Sequence, residues 1–355
     1  MPTCTWLARA LSLALLAGAM AAGVGPILAV LCGVALIGAV IAAVHHAEVV
    51  AHRVGEPFGT LVLAVAVTVI EASLILSMLL AGGAEVAVIA RDTLYAAVML
   101  ICNGVVGACI LAGGLTHHEQ TFRVEGSNAG LAALIAMATL SLVLPVFTTT
   151  TGAGTYSDAQ LAFAAATSIA LWAIFVFVQT VRHRDYFLPA EGASDAEAHA
   201  APPSNRAAWT SFALLLLSLI TVVGLAKALS PTIERAIVQT GAPKAVLGIV
   251  IALLVLLPET WAAVRAARAN RLQSSMNLAV GSALASIGLT IPVVAVTAII
   301  FELPLVMGLD PKDLVMLAVT FLVSTVTLGT GRTNMMQGAV HLVLFAAFLF
   351  LAFVP

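Results

Sequence analysis

Residues 57–80 read PFGTLVLAVAVTVIEASLILSMLL, and residues 243–264 read PKAVLGIVIALLVLLPETWAAV. Each is an apolar run long enough to cross a bilayer, for which about 20 mostly apolar residues suffice. The first follows Gly55-Glu56 and the second Gly241-Ala242, so each opens on a Gly-x-Pro. Each then carries one glutamate deep inside: Glu71 in the first, Glu259 in the second. The prolines stand 186 residues apart and the glutamates 188. A glutamate 14 to 16 residues past its proline lies about 21–24 Å along a helix, within the membrane and toward the far end of its span.

The rest of the chain has the same character. Of 355 residues, 61% are hydrophobic and 9% charged, and the mean hydropathy is +1.11. Soluble domains run near ~45–50% apolar and ~25% charged. So few charges cannot solvate the surface of a soluble enzyme, and a net charge of −2 implies no nucleic-acid partner. Long apolar runs without period-2 alternation exclude a β-barrel. Cys4, Cys32, Cys102 and Cys109 fall in apolar runs without CxxC spacing and read as small apolar side chains rather than a metal or disulfide framework. The class is an all-α polytopic membrane protein whose surroundings are the lipid bilayer.

Eleven runs qualify as transmembrane helices, near 7–24, 26–44, 57–80, 93–115, 128–147, 159–181, 208–229, 243–264, 275–301, 312–329 and 334–354. The first also has the make-up of a signal peptide, with Arg9 before an apolar core and small residues after it; we read it as a retained span over residues 1–25. With the N-terminus in the cytoplasm, cytoplasmic segments hold Arg9, Arg53, Arg123, Arg182, Arg184, Arg206, Arg265, Arg268, Arg271 and Arg332. The far side holds Arg91, Lys227, Arg235, Lys244 and Lys312. Ten basic residues against five favour this orientation. One long polar break, residues 182–207, contains Asp185, Glu191, Asp195, Glu197 and His199. It reads as a solvated acidic linker on the cytoplasmic side; a calcium-sensing segment is the sharper alternative, although its carboxylate spacing does not fit an EF-hand loop.

The linker separates a first five-helix repeat, 26–181, from a second, 208–355. Five is odd, so the two units insert with opposite orientation. Inverted repeats with a shared site near the midplane are the architecture of many secondary transporters. A charged side chain at the bilayer centre costs on the order of 2.5–3.5 kcal/mol even on the lenient insertion scale. No lysine or arginine lies at matching depth in the sequence, so Glu71 and Glu259 must be protonated or hold a cation. Two carboxylates together match one divalent ion in charge, or take up to two protons, and like charges raise each other's proton affinity. That competition is the core of a cation/proton antiporter. Ca²⁺ takes six to eight flexible oxygen ligands, and Thr68, Ser73, Asn103, Ser282, Ser286 and Thr290 are candidates to complete a shell. Pro258 removes a helix hydrogen bond next to Glu259 and can free a carbonyl. No HExxH motif or aspartyl-protease pair is present, so an intramembrane enzyme is not expected, and no cofactor beyond the transported ion.

Several short motifs add a resemblance. His46-Ala47-Glu48-Val49-Val50-Ala51-His52-Arg53-Val54-Gly55-Glu56-Pro57-Phe58-Gly59-Thr60 followed by Glu71 is similar to the first signature of bacterial calcium/proton antiporters. So are Arg91-Asp92-Thr93-Leu94-Tyr95, Pro258-Glu259, Met276-Asn277-Leu278, Gly281-Ser282 and Gly331-Arg332-Thr333-Asn334, in that order. The chain thus resembles the calcium/cation antiporter superfamily, in the branch of bacterial sodium-potassium/calcium-proton antiporters. The resemblance implies a ten-span core of two inverted repeats, an extra N-terminal span, residence in a bacterial inner membrane, and Ca²⁺ export driven by proton entry. It places the paired ion ligands on Glu71 and Glu259. The chain departs from the wider superfamily in having Val69-Ile70 and Leu257-Pro258 where Gly-Asn often precedes the glutamate. Serines stand where sodium/calcium exchangers often carry a further carboxylate, which weighs against Na⁺/Ca²⁺ exchange and leaves Na⁺ or K⁺/H⁺ antiport as the alternative.

His45, His46, Glu48, His52 and Glu56 form a dense titratable stretch before the third run. Histidine responds to pH between about 5 and 8, so the stretch is a candidate for proton uptake or pH sensing, against a simple solvated interfacial loop. In the last run Asn334, Gln337 and His341 recur at helical spacing, to line a pathway or to bond a neighbouring helix; the second reading is preferred.

Overall fold

The computed structural model describes residues 25–55, 58–80, 87–188, 203–240, 243 and 245–354. They form ten helices, five on each side of the linker: α1 (Pro26–Val54), α2 (Phe58–Leu79), α3 (Ile89–His117), α4 (Val124–Ala138), α5 (Asp158–Phe177), α6 (Asn205–Thr240), α7 (Ala245–Arg268), α8 (Leu272–Ile300), α9 (Pro311–Leu328) and α10 (Met335–Phe353). Eight are long and apolar enough to cross a membrane, and α7 becomes a ninth if its two arms count as one span. The remaining helix, α2, has a shorter apolar stretch, Ala64–Leu79. The expected run 7–24 lies outside the described residues, so ten helices stand where eleven spans were read.

Most ends follow the chemistry of the chain. Pro26 and Pro311 occupy first turns, where a missing N–H costs nothing. Ser157 with Gln160, and Asn334 with Gln337, close capping boxes at the starts of α5 and α10. Two ends differ from the sequence reading. α1 continues through the polar stretch to Val54, so His45 to His52 are helical and not an interfacial loop. α6 continues to Thr240, past the last strongly apolar residue. In both cases a helix needs only hydrogen bonds and propensity, so it outlasts the hydrophobic run that suggested it. α3 has a π-helical middle, Leu100–Val105; further π segments, Thr139–Val143 and Val178–Arg182, extend α4 and α5.

The helices meet in pairs that match between halves. α1 packs on α6; α5 packs on α8 as α10 packs on α3; α2 packs on α8 as α7 packs on α3. α8, from the second half, and α3, from the first, form the middle of the bundle, and both are largely buried. α3 and α10 approach closely because glycines face each other. A Cβ on Gly338 would meet the Leu111 backbone nitrogen at 2.5 Å, and one on Gly107 would meet His341 Cβ at 2.9 Å.

Chain ends gather at two poles. At the pole where α5 leads into the linker, strand β1 (Glu119–Thr121) pairs antiparallel with β2 (Arg332–Asn334). There His117 bonds the Arg268 carbonyl at 2.9 Å, Gln120 Nε2 donates to the Ala267 carbonyl at 2.8 Å, and Arg53 Nε donates to Asn205 Oδ1 at 2.8 Å. At the opposite pole Arg91 bridges Asp92 (2.8 Å) and the Gly308 carbonyl (2.9 Å), and the Met307 amide donates to Gly154 at 2.9 Å. Helices therefore alternate between the same two poles throughout.

Candidate ion site

Glu71 sits 13 residues into α2, and Glu259 sits 14 residues into α7. The two helices start from opposite poles, so both carboxylates reach the middle of the bundle, about 20 Å from their own starts. Glu71 is 2% exposed and Glu259 5%. Both meet α8. Ser286 Oγ donates to Glu71 Oε1 at 2.7 Å, and Ser282 Oγ donates to Glu259 Oε2. Ser282 and Ser286 are one helical turn apart, with Cβ atoms about 6 Å from each other, so α8 holds the carboxylates side by side and within electrostatic reach. Among the described residues no ion pair reaches either group. Glu259 Oε1 is buried without a hydrogen-bond partner, which is costly unless a proton or cation sits there.

α7 bends by 54° between its arms Val246–Leu257 and Glu259–Arg268. Pro258 has no N–H to offer the Leu254 carbonyl, the usual cause of such a break. In a membrane a freed carbonyl needs another partner, and the break lies beside Glu259.

The other expected ligands divide. Thr68 is buried, but its hydroxyl donates to the Ala64 carbonyl at 2.9 Å within α2. The Ser73 carbonyl accepts from Ser77 Oγ at 2.7 Å. Thr290 is fully buried with an unpartnered hydroxyl. Asn103, fully buried in the π segment of α3, turns to α9 and α10: Nδ2 donates to Thr320 Oγ1 at 2.8 Å, and Oδ1 lies 3.2 Å from His341 Nδ1. His341 Nε2 lies 3.1 Å from Thr327 Oγ1. This second polar cluster joins three helices, in line with the expectation that His341 bonds a neighbouring helix. Asn334 and Gln337 are spent on the α10 cap. The sequence reading missed Thr320 and Thr327; with Ser324 they recur every three or four residues along α9, a polar stripe in an apolar run. Of the titratable stretch, His46 is fully buried in α1, whereas His45, Glu48 and His52 are exposed; Glu56 lies outside the described residues. Among the described residues no three His, Cys, Asp or Glu side chains gather as a metal site. Cys32, Cys102 and Cys109 are buried, and among the described residues no disulfide joins them.

A crevice reaches Glu259 and Ser282 between α2, α5 and α8, past Ala64, Phe175, Gln179 and Asn277. Gln179 and Asn277 lie toward the linker pole, so the crevice lies on that side of Glu259.

The family model for "Sodium/calcium exchanger protein" matches residues 24–181 and 210–354, which is both halves without the linker. The chain belongs to this exchanger family. A putative ionic transporter, y4hA, of Sinorhizobium fredii is 49% identical over 320 residues, covering 90% of this chain and 87% of the relative. The sodium-potassium/proton antiporter ChaA of Escherichia coli is 35% identical over 322 residues, with the same coverage. Among solved structures, native YfkE, a Ca²⁺/H⁺ antiporter protein, superposes with a TM-score of 0.75 at 19% identity, covering 99% of this chain and all of the other. That likeness carries the fold. The chain is thus a multi-span membrane protein of a family of cation exchangers, and the resemblance read from its motifs holds.

Proposed function

We propose that this exchanger moves Ca²⁺ against H⁺ by alternating access, with both ions competing for Glu71 and Glu259. The observation that carries the reading is the pair itself. Two buried carboxylates come from oppositely directed helices to serines one turn apart on α8. One carboxylate oxygen has no partner. Two negative charges balance one divalent ion, and the shell is completed by Ser282, Ser286 and carbonyl oxygens such as that freed at Pro258. Mg²⁺ fits less well, because it gives up its waters reluctantly. Protonation of both carboxylates gives the same cavity a neutral, ion-free form, so the two loads exclude each other. Two five-helix repeats, 26–181 and 208–355, rock about the shared site, joined by a cytoplasmic linker in the inner membrane of a bacterium.

Na⁺ or K⁺ exchange for H⁺ at the same pair is the second reading. It is favoured by the name of the Escherichia coli relative, and by serines rather than a third carboxylate beside the pair. Inside-out vesicles holding an acid interior separate the two. Proton release on adding Ca²⁺, with little on Na⁺, K⁺ or Mg²⁺, supports the first reading; release only on Na⁺ or K⁺ supports the second; no release on any of the four refutes both.

A further inference from the structure

The short 3₁₀ turn after α5, Arg184–Phe187, is the first element of the linker. It is fastened to the crevice that reaches Glu259, although it does not line it. Phe187 is buried at 8% exposure and stands edge-on to Phe175, ring centroids 5.7 Å apart at 85°. Its carbonyl accepts from Asn277 Nδ2 at 2.5 Å. Phe175 and Asn277 are both walls of the crevice, one from α5 and one from α8. Asn277 is held from a second side, since its Oδ1 accepts from Gln273 Nε2 at 2.8 Å, and Gln273 in turn accepts from the Arg123 amide at 2.6 Å. On the opposite flank the turn rests on Gly126 of α4: a Cβ there would meet the Tyr186 carbonyl at 2.6 Å and the Phe187 ring at 3.2 Å. A single aromatic residue thus ties α4, α5 and α8 together at the mouth of the ion's route.

We propose that Phe187 is a positioning residue for ion entry: by clamping Phe175 and Asn277 it sets the width of the crevice between the linker pole and Glu259. This rests on reading Glu259 as an ion ligand. An edge-on aromatic pair and a buried hydrogen bond are each modest, which suits a closure that must open and shut during a transport cycle. Removing the ring frees Phe175 and leaves the Asn277 tie alone, and the crevice wall slackens.

The test reads access directly and needs no transport. Gly281 lines the crevice, and a Cβ added there meets nothing within 4 Å, so Gly281→Cys is an undistorting reporter. It is placed in the full chain with the four native cysteines replaced by alanine. A bulky cationic thiol reagent is applied from the linker side of inside-out vesicles. Ser324→Cys, at 2% exposure in α9, reports general loosening. Phe187→Ala is expected to raise the labelling rate at Gly281→Cys at least threefold while leaving the Ser324→Cys rate unchanged. Gly126→Ala, which pushes the turn off α4 without removing the ring, should act in the same direction. Equal or slower labelling at Gly281→Cys in both variants overturns the proposal, as does an equal rise at both reporters. Failure of the ion-site reading shows elsewhere, as normal exchange in glutamate variants, so the two failures are distinct.

Discussion

Glu71 and Glu259 are buried with one serine partner each and no ion pair among the described residues, whereas the buried Asp92 is paired with Arg91. Replacing either glutamate with glutamine keeps size and one hydrogen bond but removes a charge and an exchangeable proton. Glu71→Gln and Glu259→Gln should each reduce cation-driven proton release to near background, with the yield of folded protein close to that of the parent. A carboxylate with only a structural role gives the reverse, less folded protein with normal exchange per molecule, and that result would remove the residue from the site. The same chemistry fixes the sign of the pH dependence. Binding a cation to carboxylates displaces protons, so the apparent affinity for Ca²⁺ falls as pH drops, by up to about tenfold per pH unit for each proton displaced. Measuring the half-saturating Ca²⁺ concentration at several pH values in vesicles checks this; a value independent of pH would separate the cation from the titrating groups.

Helices in lipid gain little from hydrophobic burial against one another, and close backbone approach takes its place. The contact of α3 with α10 is of that kind. Gly338 faces the backbone of Leu111, which cannot step aside as a flexible side chain would. Gly338→Ala should therefore cost about 1–3 kcal/mol, as overpacking does, and lower the thermal midpoint in detergent by several degrees. Gly38→Ala on α1, where an added Cβ meets nothing within 4 Å, is the matched substitution and should leave the midpoint in place. Equal effects from both would mean that helix propensity, not packing, governs these positions. The same contact sets the distance between Asn103 on α3 and His341 on α10, and so the polar cluster they form with Thr327.

At the level of the whole molecule, five helices follow the linker before the chain reaches Val354. An odd number of crossings places the linker and the C-terminus on opposite faces of the membrane. Single cysteines at Ser204 and Val354, probed with an impermeant maleimide in intact cells and in inside-out vesicles, should label from opposite sides. Labelling from the same side would contradict the alternation of helices between the two poles. The inverted arrangement has a mechanical consequence as well. α2 and α7 enter from opposite poles, so under the proposed alternating access a rocking motion that uncovers Glu259 from one side covers it from the other.

Amino-acid order alone determined the class, the five helices that follow the linker, and the two lone glutamates inside apolar runs. Hydrophobic run length has a physical threshold set by bilayer thickness, and a lone glutamate inside such a run stands out against the cost of burying charge. The motif order was enough to point to the family. Tertiary structure decided what the runs could not encode. Ser282 and Ser286 became partners of the glutamates because α8 crosses both α2 and α7, whereas Asn103, an equally plausible oxygen donor by sequence, was turned by packing toward Thr320 and His341. His45 to His52 became helix because hydrogen bonding continued past the apolar run. The tie of Phe187 to Phe175 and Asn277 joins residues 12 and 90 positions apart. Period and composition record which face of a helix is apolar; they do not record which helix that face will meet, and a site assembled between helices depends on the second.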